Sequence, residues 1–462
     1  MSMERRDQQN LNLVESTQSA SNSREDGQKD LTQFETRESW KTRISFKAQD
    51  KNCTFSNLMK HINIDVLHEA FKEIDGKKAL GVDQVSKSAY GKNLNENIEF
   101  LAIKIQNGSY RPLPKREVLI PKSNGKMRPI AIASFEDKLV DWCVGAILTE
   151  IYEPLFIRNS FGYRPQKSAH GAIEACYSSL ENGSRENVVE IDFSNFFNTI
   201  PHNKLMRILE KRIADKRFLG LVRRLLTGEI LKSTGETIAS VVGTPQGGIA
   251  SPILANIYLN EVLDQWFLEN YASYNNIIVR YADDAVFFFK NKDDATKFTT
   301  ELKARVESYG ISLNEEKTQQ LTLGKKDRGS FNFLGFTFYR GKQGKRKILK
   351  IKTQKEKLIK GINEFYDWIK SNRNRMKLSE LWKIAKAKII GHLNYYGYAM
   401  NNLKINHFYF KVKDALFKWL NRRSQKRSYT IEGFEERIRN FPLMGNVESS
   451  KWKQLGRSFG RI

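Results

Sequence analysis

At 462 residues the chain exceeds one ordinary core and has room for two or three domains of ~100–200 residues. Its 77 Lys and Arg against 52 Asp and Glu give a net charge of +25 and a pI near 9.7, which points to a polyanionic partner, since cations gain affinity by displacing counterions from phosphates. The N-terminus lacks a signal-peptide core, no apolar run nears the ~20 residues of a membrane span, and Cys53, Cys143 and Cys176 lack zinc-site spacing. A cytoplasmic protein with no membrane partner is therefore expected.

Residues 1 to about 55 are rich in Gln, Ser, Asn, Glu and Asp and poor in apolar side chains, so a polar, disordered tail is expected there. From Asn57, apolar residues recur at helical spacing through Met59, Ile62, Leu67 and Phe71, followed by a turn at Gly81-Val82-Asp83. Short apolar runs at Glu117–Pro121, Asn187–Ile191 and Ile277–Tyr281 predict strands, and Phe135–Tyr152 and Asp293–Tyr309 predict helices between them. Beyond Gly341 the chain carries 30 Lys and Arg against 9 Asp and Glu. Helical periodicity dominates there, at Lys355–Lys370 and Leu378–Tyr396. The mixture predicts an α+β fold: a mixed region over 56–345 with an antiparallel sheet plus helices, then a basic helical region over 346–462.

Two segments carry acids in places that bear on chemistry. Ile277 to Phe289 is two apolar runs flanking Asp283-Asp284, which fits a β-hairpin with the acids at its turn. Val188 to Ile191 runs as a strand into Asp192. Each alone is equally a polar turn or a helix cap. Brought together in one sheet, Asp192, Asp283 and Asp284 would make a cluster suited to hard divalent cations and to nucleotidyl transfer, one ion activating a hydroxyl and the other stabilising pyrophosphate.

Tyr281-Ala282-Asp283-Asp284, with Asp192 upstream, resembles the palm motif of reverse transcriptases, specifically the group II intron-encoded reverse transcriptase/maturase family. The likeness extends in order through Ile120–Pro129, Ser160-Phe161-Gly162-Tyr163-Arg164-Pro165, Thr244–Gly248, Ser251–Leu259 and Phe333-Leu334-Gly335-Phe336. It continues into Gly391–Gly397 and Trp419–Gln425, so it spans about Asn57 to Pro442.

The resemblance implies a right-hand polymerase of fingers and palm followed by an α-helical thumb/maturase region, copying RNA into DNA with two Mg²⁺ ions, Mn²⁺ being able to substitute. Its partners would be an RNA template, in particular group II intron RNA, a DNA primer or target, and deoxynucleoside triphosphates. By position it places Lys122, Arg128 and Gln246 at the incoming nucleotide with Phe193 and Phe197, the last as the ring that blocks a ribose 2′-hydroxyl. Phe193 also joins Asp192, Asp283 and Asp284 in the metal set. Lys317 matches a general acid to pyrophosphate, and Phe333, Leu334 and Gly335 match a primer grip. As bare features, Phe196-Phe197 reads as core and Lys317 as an exposed lysine.

In the basic region Tyr395, Tyr396, Tyr398, Tyr409 and Trp419 are expected mainly to pack, and Arg422, Arg423, Lys426 and Arg427 to face RNA phosphates. With no cysteine after Cys176, the zinc-bearing endonuclease of many relatives is not expected, and a mobile element would borrow its primer. Two further readings stay open: a domesticated enzyme serving antiviral defence or DNA repair, and a non-enzymatic RNA-binding maturase.

Overall fold

The Ser134 hydroxyl accepts from the Asp137 amide and starts a helix, Phe135–Tyr152, whose first turn carries Glu136 and Asp137, where a helix favours negative charge. Leu139, Val140, Val144, Ile147, Leu148 and Ile151 are buried along it. This helix is a spine of the larger of the two cores flanking the central sheet. The structure, a computed structural model, describes residues 39–121, 125, 127–181, 183–244, 247–324, 329–423 and 428–443, and from Trp40 onward they belong to one compact unit.

In chain order, β1 (Lys115–Pro121) and β2 (Met127–Ile132) form an antiparallel hairpin. Next come β3 (Asn187–Ile191) and the short β4 (Ile230–Leu231) and β5 (Thr237–Ile238), which extend the first hairpin into a sheet of order β2-β1-β4-β5. β6 (Ile277–Tyr281), β7 (Asp284–Phe289) and β8 (Gln319–Thr322) join β3 in an antiparallel sheet of order β6-β7-β3-β8. Finally β9 (Ser330–Phe333), β10 (Phe336–Gln343) and β11 (Arg346–Thr353) make a three-stranded meander.

The β3 and β7 strands are apolar on both faces because both faces are covered. Val189, Ile191, Phe287 and Phe289 enter the core shared with Phe135–Tyr152 and with the helix Lys292–Ser308. Val188, Val286 and Phe288 point the other way, against Phe331, Phe333, Phe336 and Phe338 of the meander. Alternation therefore sorts three consecutive phenylalanines into two cores. Helices Lys355–Asn372, Leu378–Tyr396, Asn402–Leu420 and Ile431–Asn440 build a third core of their own. The α+β class expected from the sequence is the one observed.

Two expectations need correction. The polar tail was expected to reach about residue 55, yet Trp40–Ala48 is a helix with Ile44 and Ala48 buried, and Phe55 lies in the core at 5% exposure. Two apolar residues four apart are too thin a stripe to stand out against a polar background, but they suffice to dock a short helix. The basic helical region, expected from residue 346, opens instead with strand β11, paired along its whole length with β10. A division at 345/346 would cut that hairpin at its turn.

Candidate active site

Strand β3 pairs with β7 so that Glu190 faces Val286 and Ile191 faces Ala285. Continuing that register by one residue sets Asp192 against Asp284. Asp192, Glu190 and Asp284 share the parity of Val188, Val286 and Phe288, so all three acids lie on the sheet face that meets the meander. Asp283 occupies the turn between β6 and β7, next to Ala282, whose φ is +57°.

Burial and mutual repulsion act on this cluster together. Desolvation by the surrounding protein pushes the Asp284 carboxyl, whose side chain opens to the cleft, up to about 7, reinforced by the charges of Asp283, Asp192 and Glu190. Asp283 is raised chiefly by burial, with Asp192 adding to the shift and Arg128 opposing it. Glu190 is raised by burial as well, against a hydrogen bond from Gln319. Lys317 offsets part of the charge, its Nζ donating to Asp192 Oδ2 at 2.9 Å, and Asn314 Nδ2 donates to the same oxygen at 3.2 Å. Hard carboxylate oxygens suit Mg²⁺, and a divalent cation is the natural relief for such crowding. Among the described residues no three such groups already close on one point. The donor chemistry fits the ion, and the acids share one face without forming a finished cage.

A cleft of about 620 Å³ opens on this face, lined by Glu190, Asp284 and Lys317 on one side and by Leu334, Gly335 and Tyr395 on the other. Leu334 and Gly335 form the tight turn between β9 and β10, with φ of +49° and +80°. Left-handed backbone is natural for glycine and uncommon for leucine. Tyr395 Oη donates to the Leu334 carbonyl at 2.9 Å, and the Tyr396 hydroxyl lies 2.8 Å from where a Cβ on Gly335 would stand. The helix Leu378–Tyr396 thus braces the turn against the acids.

The remaining candidates distribute unevenly. Arg128, on β2, is exposed and close enough to Asp283 to lower its pKa. Phe197 is half-buried, stacked edge-on to Phe196 at 5.6 Å, and its carbonyl accepts from the Thr244 amide at 2.7 Å, which ties it to the loop leading to Gln246. Phe193 is 5% exposed and packs on Phe196, so its ring is core; only its backbone, paired with Leu313, is open to a role at the metals. Phe333 is likewise buried, at 4%. Arg422 is exposed beside Trp419, where Arg373 and Lys418 also gather. Arg423 differs: its Nη2 donates to the Met376 carbonyl at 3.0 Å, a brace between segments instead of an open phosphate contact. Lys122, Gln246, Lys426 and Arg427 lie outside the described residues. Tyr398 and Trp419 are buried at 1% and 6%, as packing residues.

Sequence reading missed the group that holds the acidic turn in place. Arg280, 0% exposed, donates through Nε to Asp264 Oδ1 at 2.8 Å and through Nη1 to Asn256 Oδ1 and to the Ala282 carbonyl, each at 2.9 Å. Asn256 Nδ2 donates on to the Gly162 carbonyl at 2.7 Å. Asp264 reaches Arg280 from a π-helical stretch, Asn260–Gln265, that interrupts the helix begun at Ser251. Gly162 packs so tightly that a Cβ there would collide with the Ala282 amide and stand 3.0 Å from its Cα. The Ser160–Pro165 and Ser251–Leu259 segments are therefore scaffolding for the turn.

Residues 120–338 match the family model described as reverse transcriptase (RNA-dependent DNA polymerase). Protein YkfC of Escherichia coli K12 is 34% identical over 279 residues, covering 53% of this chain and 72% of that one. The group II intron-encoded protein LtrA of Lactococcus lactis subsp. cremoris is 34% identical over 230 residues, 49% of this chain and 38% of LtrA. The chain belongs to the group II intron reverse transcriptase/maturase family. A third relative, the 91 kDa protein in the cob intron of Schizosaccharomyces pombe, is 42% identical over 160 residues, 35% of this chain and 19% of that protein. The matches to LtrA and to the yeast protein thus cover well under half of each. Reverse transcriptases use divalent metal ions as a family.

Proposed function

We propose that the chain is an RNA-directed DNA polymerase of group II intron type, extending a primer 3′-hydroxyl with deoxynucleoside triphosphates on an RNA template and binding intron RNA through its basic regions to assist splicing and retrohoming. One observation supports this reading: the β3–β7 register pairs Ile191 with Ala285, one step before Asp192 and Asp284, and Asp284 lines a cleft that the Leu334-Gly335 turn also lines.

Asp192, Asp283, Asp284 and the Phe193 carbonyl would hold two Mg²⁺ ions, with Mn²⁺ able to replace them. When bound, such ions polarise the attacking hydroxyl and stabilise the departing pyrophosphate. The chain's own residues supply the rest. The Leu334-Gly335 turn, braced by Tyr395, positions the primer end. Arg128 offers a fork of donors to the triphosphate. The half-buried Phe197 beside the Thr244 loop crowds the sugar. Lys317, 64% exposed at the cleft edge, is placed to give a proton to the leaving group.

Primer extension on an RNA template with the purified chain tests this. Wild type should make full-length product with Mg²⁺, and Asp283→Ala should lose activity by at least ~10³-fold, the scale of removing a principal transition-state contact. Equal product from both proteins would sink the polymerase reading.

A further inference from the structure

Strands β10 and β11 continue past the core as a basic arm. Arg340 is the last anchored residue: its Nη2 donates to Glu186 Oε1 at 3.1 Å and its Nε to the Leu323 carbonyl at 2.6 Å. Beyond it the hairpin holds Lys342, Lys345, Arg346 and Lys347, with Lys350 and Lys352 on the returning strand opposite Tyr339 and Thr337, and no acid occurs between Asp327 and Glu356. Among the described residues none of these six cations forms an ion pair. Lys342 and Lys347 face each other directly across the register. Like charges so placed destabilise a hairpin, and only an anion from elsewhere relieves them.

The arm's outer surface is ordered for contact. Lys350 lies across the strand, its Nζ donating to the Lys342 carbonyl at 2.7 Å, in room left by Gly341, where a Cβ would stand 2.9 Å from Lys350 Cδ. Lys352 sits over the Tyr339 ring at 4.5 Å. Strand β10 has eight residues, so at ~3.3 Å each the arm's tip is about 25 Å from the Leu334-Gly335 turn at the cleft. The four cations at the tip, Lys342, Lys345, Arg346 and Lys347, therefore lie away from the reacting groups. None of the exposed large hydrophobic residues lies on the arm, so the apolar face used to enter a lipid surface is missing.

We propose that the β10–β11 arm is a separate RNA-binding site that grips the phosphate backbone of a folded RNA bound outside the polymerase cleft. The identity of the anion rests on the polymerase reading above; the existence of an anion site rests on the arm alone. The test uses the full chain, a folded intron-like RNA, a short primer–template too small to reach the arm, and vesicles of anionic phospholipid. The variant Lys342→Gln/Lys345→Gln/Arg346→Gln/Lys347→Gln should bind the folded RNA ~10–100-fold more weakly near 0.1 M salt, and the slope of log affinity against log salt should flatten by about 3, since each phosphate contact contributes ~0.7–0.9. Extension of the short primer–template should stay within about twofold of wild type.

Lys347→Glu separates binding from folding, because it gives Lys342 an opposite charge: the melting temperature should hold or rise while RNA affinity falls. Unchanged affinity and salt slope in the quadruple variant would overturn the proposal, as would loss of vesicle binding with RNA binding intact. A wild type that extends no primer yet shows arm-dependent RNA affinity would remove the polymerase reading and keep the arm.

Discussion

Arg280 Nη1 donates to the carbonyl oxygen of Ala282 at 2.9 Å, so a side chain from β6 ties down the turn that follows its own strand. The rest of its guanidinium is held by Asp264 and Asn256, with both members of the Arg280–Asp264 pair 0% exposed. Breaking a buried pair by removing one partner costs about 3–5 kcal/mol, whereas replacing both with apolar residues is often neutral. Arg280→Met should therefore melt much earlier than wild type. Adding Asp264→Leu should restore most of the stability. Activity should stay down by ~10²-fold in both, because neither supplies a donor to Ala282, and small misplacements of reacting groups cost about that much. Thermal denaturation beside primer extension reads the difference; activity returning together with stability would assign Arg280 a purely structural role.

Gly162 gives a steric version of the same test. Gly162→Ala should lower kcat by ~10²-fold, because the new methyl group displaces Ala282 and with it Asp283. Among the described residues, nothing lies within 4 Å of the position a Cβ would take at Gly391, in the helix Leu378–Tyr396. Gly391→Ala should leave activity alone and stabilise by about 0.5–1 kcal/mol. Steady-state kinetics and melting of the two variants check both statements.

Acid should weaken the helical core through His392. This ring stacks on Phe408 at 3.5 Å with Nε2 buried and, among the described residues, without a hydrogen-bond partner, and burial lowers its pKa to about 4 from 6.5. The unfolded chain therefore takes up a proton first as pH falls. The neutral ring's contribution is complete above pH 6.5 and is lost between pH 6.5 and 4, on the order of 3 kcal/mol at ~1.4 kcal/mol per pKa unit. His392→Phe should flatten that part of the stability profile, measured by urea denaturation across the pH range. An unchanged slope would place the acid sensitivity elsewhere.

Much of the fold was readable wherever one period ran without interruption. Phe135–Tyr152, Asn187–Ile191, Ile277–Tyr281 and Leu378–Tyr396 all have the boundaries their apolar spacing predicts. The two acidic segments were readable too, since each closes a strand. Arg280 was not, because inside an apolar run it looks like a strand residue, and its partner Asp264 lies in a π-helical turn that leaves no periodic trace. Glu190 was there to find: it stands two residues before Asp192 and so shares its face. The brace made by Arg423 was not readable, for its Nη2 acceptor, the Met376 carbonyl, lies 47 residues earlier. The alternation in Ile348-Leu349-Lys350-Ile351-Lys352 does announce a strand, though it is short and embedded in a run of lysines that continues into the basic helices.

The pairing of β3 with β7 also sets what kinds of genetic change this protein tolerates. Because the acids are brought together by a hydrogen-bonded ladder, exchange of one core side chain for another leaves their spacing intact. Insertion or deletion of a single codon within 187–191 or 285–289 would instead slide the ladder by one step and turn an acid to the opposite face. Natural length variation among homologues should therefore gather in the connections and spare these two stretches.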